Sequence, residues 1–151
     1  MLQNLNEASS QSNVQDLTYL VNCGENIDAR ASIVGQAPIH KAVLSHNSEE
    51  DKKTTLEAIF RSNADIDIID SNGWTALHHA AYNGDIKSVN LLKNNGANIN
   101  AFSNQFKTPL HFAALNNHPD VVASLLASNA DMGARDEHKC TPLHLACKKG
   151  S

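Results

Sequence analysis

Thr75-Ala76-Leu77-His78, Thr108-Pro109-Leu110-His111 and Thr141-Pro142-Leu143-His144 are one tetrapeptide written three times, with Ala37-Pro38-Ile39-His40 as a looser fourth copy. The last two His-to-His steps are 33 residues each, and the step from His40 to His78 is 38. Self-similarity at a period of roughly 20 to 50 residues marks a stack of small units, none of which buries its apolar face alone. The 151-residue chain therefore reads as one elongated domain, 1–151. Its units fall at about 1–30, 31–68, 69–101 and 102–134, with a partial unit at 135–151.

The third unit is the clearest. Asp70-Ser71-Asn72-Gly73-Trp74 carries turn residues, and Thr75 suits a helix N-cap because its hydroxyl can accept from a free N–H of the first turn. Pro38, Pro109 and Pro142 stand at the first helical position, where the missing N–H costs nothing. Leu77, Ala80 and Ala81 then form the apolar stripe of a short helix, and Ile86, Val89 and Leu92 that of a second. Asn95-Gly96 tolerates the left-handed backbone that ends a helix.

The fourth unit repeats this with Leu110, Ala113, Ala114, Val122, Leu125 and Asn129, and Pro119 opens its second helix. The second unit has Ile39, Ala42, Leu56, Ile59 and Asn63, with its five surplus residues expected at about His46 to Glu50, between the helices. A first unit is read from Leu5, Ala8, Val14, Leu17 and Leu20. A fifth begins at about Arg135 and stops before any second helix, so the apolar face of the fourth unit is expected to be half covered, with further repeats or domains expected in cis beyond Ser151.

Thr-Pro-Leu-His at a 33-residue period, with Gly-Ala-Asn-Ile-Asn before the turn, closely resembles the ankyrin repeat, over about residues 4 to 150. The resemblance implies an all-α solenoid of helix-turn-helix units with projecting β-turn fingers. It also implies protein binding through the fingertips and inner helices, and a histidine that ties each turn to its helix. Phe106 and Lys139 depart from the pattern, standing where Gly73 and Gly35 stand; a left-handed backbone strains such residues, so distorted fingers are expected there.

Slots that repeat are scaffold, and slots that differ between units are free to specialise. Around the fingertips and first-helix ends the differing residues include Ile33, Val34, Asn72, Trp74, Tyr82 and Asn83. Gln105, Lys107, Leu115, Asn116 and His138 continue the set. Trp74, the only tryptophan, sits in a turn with no core slot assigned to it, and interface energy concentrates in Trp, Tyr and Arg. The competing reading is that it packs flat over its own finger and a neighbour. The candidate partner-binding surface is a concave one lined by Trp74, Tyr82, Lys107 and Leu115.

Chemistry is harder to find. His40, His78, His111 and His144 take one slot per unit, so they lie about 8 to 10 Å or more apart and cannot share a zinc with bonds of about 2 Å. His138, Cys140, His144 and Cys147 have the ligand types zinc prefers, but His144 holds the turn-binding slot and Cys147 the slot of Ala81 and Ala114, so both are expected to face inward. No phosphate loop or nucleophile with a base partner stands out. Glu49-Glu50-Asp51-Lys52-Lys53 reads as a solvated helix start whose acids favour the N-terminal dipole end.

Twelve basic against 16 acidic residues, a formal net charge of -4, give no footprint for nucleic acid. Three cysteines suggest no disulfide framework and fit a reducing, intracellular setting, with the cytoplasm as first expectation. No stretch approaches the roughly 20 apolar residues of a membrane span. Together these readings favour a non-catalytic protein-interaction module with no cofactor or metal; the alternative is a regulatory or targeting segment of a larger enzyme, channel or scaffold.

Overall fold

The computed structural model describes residues 35–150. The first unit read from the sequence, together with Ile33 and Val34, lies outside these residues. Among the described residues the helices are α1 Pro38–Leu44, α2 Glu49–Arg61, α3 Ala76–Asn83, α4 Ile86–Asn94, α5 Pro109–Leu115, α6 Pro119–Leu126 and α7 Pro142–Lys149. First helices α1, α3, α5 and α7 pack in one row and second helices α2, α4 and α6 in another, each hairpin contacting the next. This is the all-α stack that the period demands.

Local chemistry starts and stops these helices where the sequence places the signals. The Thr75 and Thr141 hydroxyls each accept from the N–H of the histidine three residues on, at 3.4 Å. Proline opens α1, α5, α6 and α7. Ser48 and Asp85 cap α2 and α4 by accepting from Asp51 N–H at 3.2 Å and Ser88 N–H at 3.1 Å. After the second helices, Asn63, Gly96 and Asn129 take left-handed φ values of 59°, 89° and 62°.

The core runs along the stack. Ala42, Leu56, Ile59, Leu77, Ala80, Ala81, Val89, Leu92, Ala113, Val121 and Leu125 are fully buried, while Ile39 and Leu110 are nearly so. Burying each leucine contributes about 1.5 to 3 kcal/mol. Alanines on the first helices let neighbouring units approach closely. In the fourth unit Val121 is the buried valine and Val122 only partly so, a correction to the expected stripe. Val122 instead lines an apolar groove of about 650 Å³ with Leu126, Met132 and Leu143, where the fourth unit's face is incompletely covered.

Two further expectations are corrected. The surplus of the second unit stays only partly between its helices: residues 45–48 form a four-residue link against two at 84–85, while Glu49 and Glu50 are helical, and α2 has 13 residues against 9 in α4 and 8 in α6. Adding helix satisfies the extra backbone groups internally, which a longer loop would not. Glu49, Glu50 and Asp51 occupy its exposed first turn, but Lys52 turns inward to pair with Asp85 at 2.9 Å.

Nor are the fingers at Phe106 and Lys139 distorted. Phe106 has φ 56° and Lys139 φ 61°, beside 72° for Gly73. Each finger closes with the same two backbone bonds. Asp70, Ser103 and Asp136 N–H groups donate to Trp74, Lys107 and Cys140 carbonyls at 3.0, 2.9 and 3.0 Å. Gly73, Phe106 and Lys139 N–H groups donate back to Asp70, Ser103 and Asp136 at 3.0, 2.9 and 2.8 Å. These bonds, reinforced by the side chains described next, impose a backbone that Phe and Lys would not choose. Gly73 is needed for a second reason, since a Cβ there would lie 2.5 Å from Asn104 Oδ1.

Candidate interaction surface

Fingers are held from inside by the residue at slot 70, 103 or 136. Asp70 Oδ1 accepts from Asn72 N–H at 2.9 Å and Trp74 N–H at 3.0 Å, and Asp136 Oδ1 from His138 and Cys140 N–H, both at 2.9 Å. Ser103 Oγ does the same for Gln105 and Lys107 at 3.3 and 3.2 Å. Adjacent fingers are joined edge to edge: Asn104 N–H donates to Asn72 O at 3.1 Å, and Glu137 N–H to Gln105 O at 3.0 Å.

The repeating histidines fix these fingers to the helices, and they do so across units. His78 Nδ1 accepts from Thr75 N–H at 3.0 Å, while its Nε2–H donates to the Lys107 carbonyl of the next finger at 3.0 Å. A carbonyl can only accept and a backbone N–H can only donate, so the ring must be the neutral Nε2–H tautomer. His40 bridges to Trp74 O and His111 to Cys140 O in the same way, both at 3.0 Å. Burial lowers the pKa of His78 to about 4, against backbone hydrogen bonds that work the other way, and it also lowers those of His40 and His111.

Upon this frame sits an aromatic cluster. The Trp74 ring lies 4.3 Å from Phe112, 4.9 Å from His79 and 5.4 Å from Tyr82, centroid to centroid, and Tyr82 is 6.0 Å from Phe112. His79 is fixed by donating Nε2–H to Asp70 Oδ2 at 2.9 Å; burial lowers its pKa, with Asp70 opposing. Trp74 therefore packs over its own first helix and onto the neighbouring unit, yet it is only half-buried, and Tyr82 is 44% exposed. Phe112 and His79 escaped the sequence reading although their slot varies, holding Lys41, His79, Phe112 and Leu145 in successive units. In the last of these, Leu145 offers no donor, and buried Asp136 Oδ2 has no hydrogen-bond partner among the described residues.

The remaining candidates divide. Lys107 and Leu115, one repeat on from Trp74 and Tyr82, are half-buried, while Asn72, Asn83, Gln105 and His138 are exposed. Gln105 Oε1 accepts from Lys107 Nζ at 3.1 Å. Asn116, half-buried, also ties its unit to its neighbours: its Nδ2 donates to Tyr82 O at 3.0 Å, beside His118 Nε2 at 3.0 Å, and its Oδ1 faces Lys149 Nζ at 3.4 Å. On the far side of the stack, burial disfavours the Asp85 carboxylate, but hydrogen bonds from Lys52 and Ser88 outweigh it and lower the pKa.

His144 and Cys147 do not face inward as expected; both are exposed, because the cover that Ala81 and Ala114 receive from a following unit is lacking among the described residues. There, no group of three or more His, Cys, Asp or Glu side chains is placed to hold a metal ion. No described helix is long and apolar enough to cross a membrane.

A family model described as ankyrin repeats (3 copies) matches residues 5–103, 49–136 and 101–151. No curated protein matches the chain. The chain belongs to the ankyrin-repeat family, whose members generally serve as protein-interaction modules.

Proposed function

We propose that this ankyrin-repeat chain is a non-catalytic module that binds a protein partner inside the cell. Its contact surface is the concave row of Trp74, Tyr82 and Asn83 in one unit and Lys107, Leu115 and Asn116 in the next, rimmed by the fingertip residues Asn72, Gln105 and His138. The observation that carries this reading is the open side of the aromatic cluster. Tyr82 is 44% exposed on rings already held in place by Phe112 and His79, so a partner would meet a preformed apolar face. The free thiols of Cys140 and Cys147 support the intracellular setting.

Because Trp74 also packs two units together, Tyr82→Ala is the cleaner probe. Partners captured from cell extract on the wild-type chain should bind Tyr82→Ala about tenfold or more weakly, as removing a hot-spot aromatic costs ~2 kcal/mol. Circular dichroism should stay unchanged. Equal capture by a Tyr82→Ala chain of intact helicity would refute the concave surface.

A further inference from the structure

A second patch lies on the fingers themselves. Slots 69, 102 and 135 are equivalent in three successive units, as are 73, 106 and 139, because the fingers close with the same backbone bonds. These slots hold Ile69 and Gly73, then Phe102 and Phe106, then Arg135 and Lys139. Ile69 is 43%, Phe102 53% and Phe106 58% exposed. The two phenyl rings lie 6.4 Å apart, centroid to centroid, tilted by 59°. The Glu137 N–H bond to Gln105 O seats the Arg135–Lys139 finger directly beside them.

Folding does not explain this arrangement. Phe106 holds a left-handed φ of 56° in a slot that Gly73 fills without strain, and its ring adds little to the core. Arg135 and Lys139 are exposed and form no ion pair with protein carboxylates among the described residues, although the chain is acidic overall. The neighbouring Glu137 carboxylate instead sits 3.6 Å from His138.

We infer that the finger edge of Ile69, Phe102, Phe106, Arg135 and Lys139 docks an extended segment of a protein partner that presents a large apolar side chain beside one or two carboxylates. The inference rests on the reading above that the chain binds protein, and adds the partner's chemistry. The phenyl pair takes the apolar side chain, and the next finger's cations take the carboxylates. An anionic bilayer is the less suited occupant, since two cations on a chain of net charge -4 give weak attraction.

The probe is a displayed library of random peptides selected on the full chain. Selected peptides should pair Phe, Leu or Trp with Asp or Glu, and Phe102→Ala should weaken them about tenfold. The double variant Arg135→Glu, Lys139→Glu should instead select peptides carrying Lys or Arg. Phe106→Gly should weaken binding while raising the thermal midpoint by about 3 °C, because strain is relieved. Peptides lacking acids, or binding indifferent to Phe102→Ala, would overturn the inference; so would equal affinity of wild type and Phe102→Ala for these peptides alongside strong binding to phosphatidylserine vesicles. Peptides lost with Tyr82→Ala but kept by Phe102→Ala would leave the concave surface standing and remove only the finger edge, whereas no selected peptide and no Tyr82-dependent partner would remove both.

Discussion

Leu77 and Leu143 are the same residue of the same tetrapeptide, yet Leu77 is fully buried and Leu143 is 72% exposed. His78 and His144 differ likewise: each binds its own threonine, but only His78 is buried and reaches the carbonyl of a following finger. The local sequence builds the helix and its cap in both places. Burial comes from the neighbour. In a stack, the core is a property of interfaces between units, and stability adds up interface by interface.

Acid should weaken the buried region most strongly. Burial pushes the pKa of His78 in the folded chain down to about 4 from the ordinary imidazole value of 6.5, so the unfolded chain binds more protons in between. The contribution is intact above pH 6.5 and lost as pH falls toward 4, on the order of 3 kcal/mol for this residue. His40, His79 and His111 shift in the same direction. Urea unfolding followed at pH 7 and pH 4.5 should show a large loss of stability; a flat profile would break the contrast.

The period made the helices, their caps, the left-handed stops and most of the core legible, because each signal acts within a few residues of itself. What stayed hidden depends on neighbours across units. Nothing local distinguishes Leu143 from Leu77, and Lys52 reads as part of a solvated charge run until Asp85 is seen against it. The fingers at Phe106 and Lys139 keep their shape because backbone bonds override the intrinsic preference of those residue types, and such bonds are not written in the local sequence. Trp74 is visible as a residue without a repeating slot; Phe112 and His79 share a varying slot too, but that slot does not tell that their rings pack against Trp74.

Substitution at the paired leucines sharpens the same comparison. Leu77→Ala should cost about 2 to 5 kcal/mol in urea denaturation, through lost burial and the cavity left behind. Leu143→Ala should stay within about 0.5 kcal/mol in the same chain. A modest effect of the opposite sign is expected on the finger: Lys139→Gly, at φ 61°, should gain about 1 kcal/mol in the same assay, because glycine holds that backbone without strain. Destabilisation by glycine would mean that the finger backbone there is not left-handed.

The direct test of the interface is the protonation of one ring. Long-range nitrogen–proton correlation spectra of His78 at pH 6 should show a neutral Nε2–H tautomer, as required by Thr75 N–H on one nitrogen and the Lys107 carbonyl on the other. A charged ring at that pH, or the Nδ1–H tautomer, would contradict the staple that joins each unit to the next.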